Sequence, residues 1–161
     1  MFEFFPVTRN QMMAQADDIR ILIFSRNTSE ADAICLQVEG IDLPYEIQIA
    51  KSQKDYIKKI LRFEPSVVIV TQQKGNYSAA DAYQDLRRSL PYSFFILIIS
   101  DCSGEEMRNY SLSGIDAFLP QGDYSLLKLV IMQGFNRKHL EKDMSQANQL
   151  MLERHHQLRS V

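Results

Sequence analysis

The chain is poor in the residues that most chemistry needs. It has two cysteines, and Cys35 and Cys102 form neither a C-x-x-C pair nor a metal-ligand spacing. Two thiols without a disulfide framework fit a reducing cytoplasm. No apolar run approaches the roughly 18–20 residues needed to span a bilayer, and Met1-Phe2-Glu3-Phe4-Phe5-Pro6 lacks the basic flank and core of a signal peptide. No basic stripe marks the globular part, and the formal net charge is -2, so nucleic acid and membrane are not expected partners. No nucleophile–base pair with credible spacing appears, so no catalytic residue, metal or cofactor is assigned.

What is present is an ordinary globular composition, 45% hydrophobic and 24% charged. With 161 residues it allows one self-sufficient core and an extra helix. Strand and helix signals alternate about five times, at spacings of roughly 20–25 residues. Residues 19–24 are apolar and β-branched, as a buried strand requires. Thr28 or Ser29 can cap the next helix, whose apolar face is Ala31, Ile34, Cys35 and Val38 and whose stop is Gly40. Cys35 on that face is core rather than reactive. Residues 45–49 alternate as a second strand. Ser52 caps a helix that buries Ile57, Ile60 and Leu61 and ends before Pro65.

Residues 67–70 are the third strand, followed by a polar loop from Thr71 to Tyr77. Ser78 with Asp81 opens a third helix. Residues 94–99 are the most apolar strand and are expected at the centre. Ser103 with Glu106 caps a fourth helix that ends near Gly114. Residues 116–119 are the fifth strand, and Asp123 can cap the last helix. The pattern is α/β: a doubly wound, five-stranded parallel sheet of CheY-like or flavodoxin-like type, with a long C-terminal helix. The site of such a sheet lies at the carboxyl ends of its strands. Here these are Ser25-Arg26, Thr71, Ser100-Asp101 and Gln121.

Four stretches carry a family resemblance: Arg20 to Phe24, Glu64 to Val70, Ser100 to Glu106, and Ser113 to Pro120. On them the chain resembles the response-regulator receiver (CheY-like) domain from about Ile19 to about Gly134. The last two stretches are the more specific. The resemblance implies an acidic pair at Ser25 and Arg26, a phosphate-accepting aspartate at Thr71, a hydroxyl at Ser100 and a lysine at Gln121. Only Ser100 fits. Magnesium needs oxygen ligands, and Ser25, Arg26 and Thr71 supply no carboxylate. The resemblance therefore implies a degenerate receiver pocket that is not an enzyme site. Ser100 and Phe118 match the family's switch pair. They are either a switch driven by a partner instead of phosphate, or a strand end and a groove-filling ring. Asp101 is an alternative acceptor or, more simply, part of a helix cap.

From Tyr124 to about Leu158 the chain has no proline and one glycine, Gly134. A helix of about 35 residues would be about 52 Å long, far more than the sheet needs. Leu126, Val130, Leu140, Met144, Ala147, Met151 and Leu158 recur at spacings of four and three or their sums, a coiled-coil seam with polar gaps. The alternatives are a parallel dimer, with Leu140, Met144, Ala147, Met151 and Leu158 as its contacts, or a helix folded back on its own domain. Leu127 and Ile131 are expected to face the sheet. His156 to Ser160 resembles a histidine-kinase phosphoacceptor box, without its proline. It also reads as a helical linker into a following domain, with the chain as the front part of a longer protein.

Three segments follow: an N-terminal extension (1–17), a pseudo-receiver domain (18–134) and a helical linker (135–161). The expected function is a cytoplasmic signalling module. It would form a homodimer and regulate a protein partner or fused output domain, in cyclic-di-GMP signalling or a histidine kinase. A second class stays open, a flavodoxin-like domain binding an anion or small ligand in Ser25-Arg26-Asn27-Thr28-Ser29. A third surface for a protein partner is the loop Gln72 to Tyr77 together with the N-terminal phenylalanines.

Overall fold

The computed structural model describes residues 18–72, 75–100 and 103–159, with side chains to residue 157. The elements alternate as β1 (Ile19–Phe24), α1 (Thr28–Val38), β2 (Tyr45–Ala50), α2 (Gln53–Phe63), β3 (Val67–Thr71), α3 (Ala79–Ser89), β4 (Phe94–Ile99), α4 (Gly104–Leu112), β5 (Ala117–Pro120) and α5 (Leu127–Arg159). All strand pairs are parallel, in the order β2-β1-β3-β4-β5. The middle strand is thus β3, not the more apolar β4. Both are interior, so both must be apolar on two faces, and hydrophobicity alone does not rank them.

Side-chain alternation sorts the core into two layers. Ile19, Ile21, Ile23, Val67, Ile69, Phe94, Ile96 and Ile98 meet α1 and α5 on one face. Leu22, Phe24, Val68, Val70, Phe95 and Leu97 meet α2 and α3 on the other. Leu127 and Ile131 of α5 are fully buried, as their spacing predicts. The exposed edges are short or polar: β5 ends in Pro120, and β2 presents Tyr45 and Glu46.

Several local expectations need correction. Asn27, not Thr28 or Ser29, caps α1. It is extended, and its Oδ1 accepts the Glu30 N–H at 3.2 Å. On α2, Tyr56 is buried and Leu61 is 64% exposed. Leu61 lies about 140° round the helix from Tyr56, off the face that Tyr56 and Ile60 share. Asp123 does not cap α5. Its carboxylate accepts the hydroxyl and the N–H of Ser125, which hold its pKa below the ordinary value, and α5 begins at Leu127. Val130 packs against the α1/α5 core rather than standing free in a seam. Contacts of α5 with the domain continue beyond Gly134, because Lys138 reaches Asp116 at 3.1 Å. The calls on residues 1–17, Asp101 and Cys102, and on Ser160 and the Leu158 side chain, lie outside the described residues.

Cys35 is partly buried against the core. Burial pushes its thiol up, and Asp32 and Glu39 push in the same direction, which disfavours a reactive thiolate. Among the described residues, no helix is long and apolar enough to cross a membrane.

An aromatic plug fixes the α2/α3 face beneath the strand ends. Phe24 stacks on Tyr56 at 4.6 Å, and Tyr77 leans on both rings. The Tyr56 hydroxyl donates to the Ala82 carbonyl at 2.8 Å, and that of Tyr77 donates to Asp85. Burial raises both phenols above the ordinary tyrosine value, and Asp85 adds to this at Tyr77. A raised folded pKa stabilises the fold below the unfolded value, about 10. That stability is lost as pH rises beyond it, because the unfolded chain then binds fewer protons. The urea midpoint is therefore expected to fall above about pH 10. Tyr56→Phe should flatten that fall. An equal slope in the variant would show that Tyr56 does not carry the dependence.

Candidate functional site

The carboxyl ends of β1, β3, β4 and β5 gather the residues that sequence reasoning singled out. Ser25 follows β1 and is fully buried. Its Oγ donates to the Asn27 carbonyl and accepts the Asn27 N–H, both at 3.2 Å. Its own N–H donates to Ala50 at 3.1 Å. Arg26 is exposed, and its guanidinium leans towards the loop after β3, where a Cβ on Gly75 would lie 3.8 Å from it. Thr71 ends β3 and is 3% exposed, with its hydroxyl 3.5 Å from the Phe24 carbonyl to which it donates. Gln121 is exposed just beyond β5. Its backbone is anchored by an N–H donated to Ile99 at 2.8 Å.

Ser100 is not a free hydroxyl. Its N–H donates to Gln72 Oε1 at 3.1 Å, and its Oγ lies 3.4 Å from the same acceptor. The Gln72 amide nitrogen donates to Glu106 at 3.3 Å. One glutamine thus links the end of β3, the end of β4 and the first turn of α4. Sequence reasoning treated Gln72 only as part of a polar loop. The available signal was its place directly after a buried strand, where an amide can satisfy a neighbouring strand's last N–H. Tyr77, assigned to the same docking loop, is buried in the aromatic plug and offers little surface.

Phe118 on β5 is half-buried on the α2/α3 face, with its ring 6.5 Å from that of Tyr110 on α4. No residue of α4 is fully buried. The helix is held by this ring contact and the Gln72–Glu106 bond more than by a core face of its own.

Ser25, Arg26, Thr71, Ser100 and Gln121 bring no carboxylate to the carboxyl edge. Magnesium prefers carboxylate and other hard oxygens. Ser25 Oγ is committed to Asn27, Arg26 brings a fixed cation, and Thr71 holds its hydroxyl under the sheet end. These residues do not fit the metal. Among the described residues, no group of three or more His, Cys, Asp or Glu is placed to hold one.

No protein-family model and no curated protein matches this sequence. Solved structures do. A receiver domain protein (CheY-like) from Methanospirillum hungatei JF-1 aligns over 78% of this chain and 99% of its own, with 18% identity and a TM-score of 0.69. The fold is that of response-regulator receiver domains. The receiver domain of a modulated diguanylate cyclase from Desulfovibrio desulfuricans G20 has 16% identity and a TM-score of 0.67, over 78% of this chain and 99% of that one. An adenylate cyclase structure from Rhodopirellula baltica has 17% identity and a TM-score of 0.71, over 83% of this chain and 98% of that one. At these identities the likeness is one of fold. Within the receiver fold, Ser25, Arg26, Thr71, Ser100 and Gln121 all stand at the carboxyl edge of the sheet, as expected.

Proposed function

We propose that this chain is a receiver-family signalling module that does not accept phosphate and that works by holding a partner in a fixed orientation. One observation carries the reading: Thr71, with no carboxylate to phosphorylate, fills the end of the central strand as a buried hydroxyl. Ser25 and Arg26 beside it offer no metal ligand. The alternative of an anion held in the first strand–helix loop is disfavoured, because Asn27 already caps α1 and Ser25 is committed to Asn27.

The partner contact is proposed on the outer part of α5. The helix has 33 residues and is about 50 Å long. Beyond His139 its described side chains are exposed, among them Leu140, Met144, Ala147 and Met151. With Leu158 these form the proposed dimer seam, and the exposed Leu150 and Leu152 flank it. Solvent-exposed apolar residues at this spacing are the usual material of a parallel pair of helices. Ser100 and Phe118 would then act as a partner-driven switch, since both connect to the lightly held α4, one through Gln72. The output is proposed to be a nucleotide cyclase or a histidine kinase, fused or separate, in keeping with the two cyclases among the similar structures.

Light scattering on the full chain and on a version ending after Lys142 tests the scaffold. A dimer that becomes a monomer on truncation is the expected result, and a full-length monomer would overturn it. Adding beryllofluoride and magnesium should leave the amide spectrum around Thr71 and Ser100 unchanged. Saturable shifts there would overturn the claim that the pocket takes no phosphoryl group.

A further inference from the structure

The opposite end of the sheet holds a cleft that the proposed function does not use. It encloses about 280 Å³ between the amino-terminal ends of the strands and the stretch of α5 that leaves the domain. That is near the lower end of small-molecule pockets, about 300 Å³. Phe135, Lys138, His139 and Lys142 line its helical wall. Their spacing places them on one face of α5. Arg20 and Tyr92 face them across the cleft.

The charges here are unequally committed. Lys138 is paired with Asp116 at 3.1 Å and with Glu141 at 3.5 Å, and His139 lies 3.8 Å from Asp143. Arg20 spends only its Nε, donated to the Glu64 carbonyl at 2.9 Å. Its two terminal nitrogens make no hydrogen bond among the described residues. Lys142 has no ion-pair partner among them either. The one carboxylate in the wall is that of Glu64. A free guanidinium fork matches the oxygens of a phosphate or carboxylate. Flat apolar surface is close by: Tyr92 is 37% exposed, and the His139 ring stacks on Phe135 at 5.9 Å. A ring can rest on such aromatic surface while its anion reaches the fork.

We propose that this cleft binds a small phosphorylated ligand with a planar ring, of the mononucleotide class, through Arg20 and Lys142. The ligand would touch both the domain and the departing helix. The test is amide chemical-shift titration of the full labelled chain with adenosine 5′-monophosphate and with adenosine. The monophosphate should produce saturable shifts at residues 64–66, 90–93 and 135–142, and adenosine should bind at least about tenfold more weakly. Lys142→Glu changes an exposed side chain with no partner, so the variant is expected to keep the dispersed spectrum of a folded domain. It should weaken binding of the monophosphate at least about tenfold. The proposal is overturned if the monophosphate shifts none of these amides, if adenosine binds equally well, or if Lys142→Glu binds as the parent does. None of these outcomes depends on whether the chain dimerises.

Discussion

Replacing Asp116 by alanine is expected to lower the unfolding free energy by about 3 kcal/mol, the lower end of the range for breaking a buried ion pair. In a chain of this size that corresponds to a fall in Tm of about 6–12 °C. The Asp116 side chain is 7% exposed and lies where β4, α3 and α5 converge, just ahead of β5. It accepts the Phe95 N–H of β4 at 2.9 Å, Arg87 of α3 at 3.0 Å and Lys138 of α5 at 3.1 Å. Arg137 stands further off at 3.6 Å and is more than half exposed, so its share is small. Without the carboxylate, the Phe95 N–H loses its partner, and Arg87 and Lys138 lose the charge that draws them together.

Arg87 cannot easily leave. It also donates to the Pro91 and Ser93 carbonyls and lies over the Tyr83 ring. Asp116→Asn keeps an acceptor for the Phe95 N–H but loses the charge, so its cost should lie between those of the parent and the alanine variant. Urea unfolding measures both. A cost below about 1 kcal/mol for alanine would mean that the network behaves as a set of solvated surface pairs.

This network shows where sequence reasoning stops. Asp116 was legible only as the first residue of a short strand, which in the structure begins at Ala117. Its partners lie 21 to 29 positions away or on the last helix, and no local pattern announces such a meeting. The strands themselves were legible, because a parallel sheet buried on both faces needs continuous apolar runs and the chain has three clear ones, in β1, β3 and β4, beside the alternating β2. Capping was legible where a hydroxyl stood three residues ahead of a carboxylate. Ser78 and Asp81 form the complete reciprocal box, and Ser52 and Ser103 each accept the N–H three residues on. It failed at Asn27, because Asn competes equally well for that position and the sequence offered three candidates in a row.

The strand-end residues were placed correctly at the carboxyl edge, because parallel topology alone puts them there. Their bonding was not legible. Whether Ser100 is free or tied to Gln72 depends on a side-chain rotamer across two strands. The buried Tyr56 and Tyr77 were hidden for a related reason. A tyrosine can be buried only if its hydroxyl finds an acceptor, and those acceptors, Ala82 and Asp85, belong to a different helix from Tyr56 or come a full two turns after Tyr77. The two ends of the sheet thus differ in kind. At the carboxyl end Ser25, Thr71 and Ser100 are held by hydrogen bonds, whereas the amino end collects cations around Asp116 and the cleft beside it.

Gly134→Ala provides the second large test, because two known effects oppose each other there. Alanine favours an α-helix over glycine by about 1 kcal/mol, so on an exposed helix the change would stabilise. At this position a Cβ would stand 2.3 Å from two ring carbons of Phe94 and 2.5 Å from a third. No ordinary contact is that close, so α5 or the ring must move. Phe94 is 4% exposed, is paired with Val67 in the sheet and lies beneath the Arg137 guanidinium at 5.4 Å. Overpacking of this kind costs about 1–3 kcal/mol and occasionally more, so the clash is expected to outweigh the helical gain and the variant to be less stable than the parent.

The clash has a signature that simple loss of stability lacks. Phe94→Leu removes two of the three ring carbons in the way, Cε2 and Cζ, and leaves δ-carbons on a freely rotating side chain that can turn aside, so the double variant should be more stable than the sum of the single changes allows, by about 1 kcal/mol or more in a double-mutant cycle. If Gly134→Ala instead stabilises by about the propensity difference, α5 rides further from β4 than the close approach of Gly134 to Phe94 implies. The hold of Lys138 on Asp116 would then have to be looser as well, since both contacts set the same helix at the same height above the sheet.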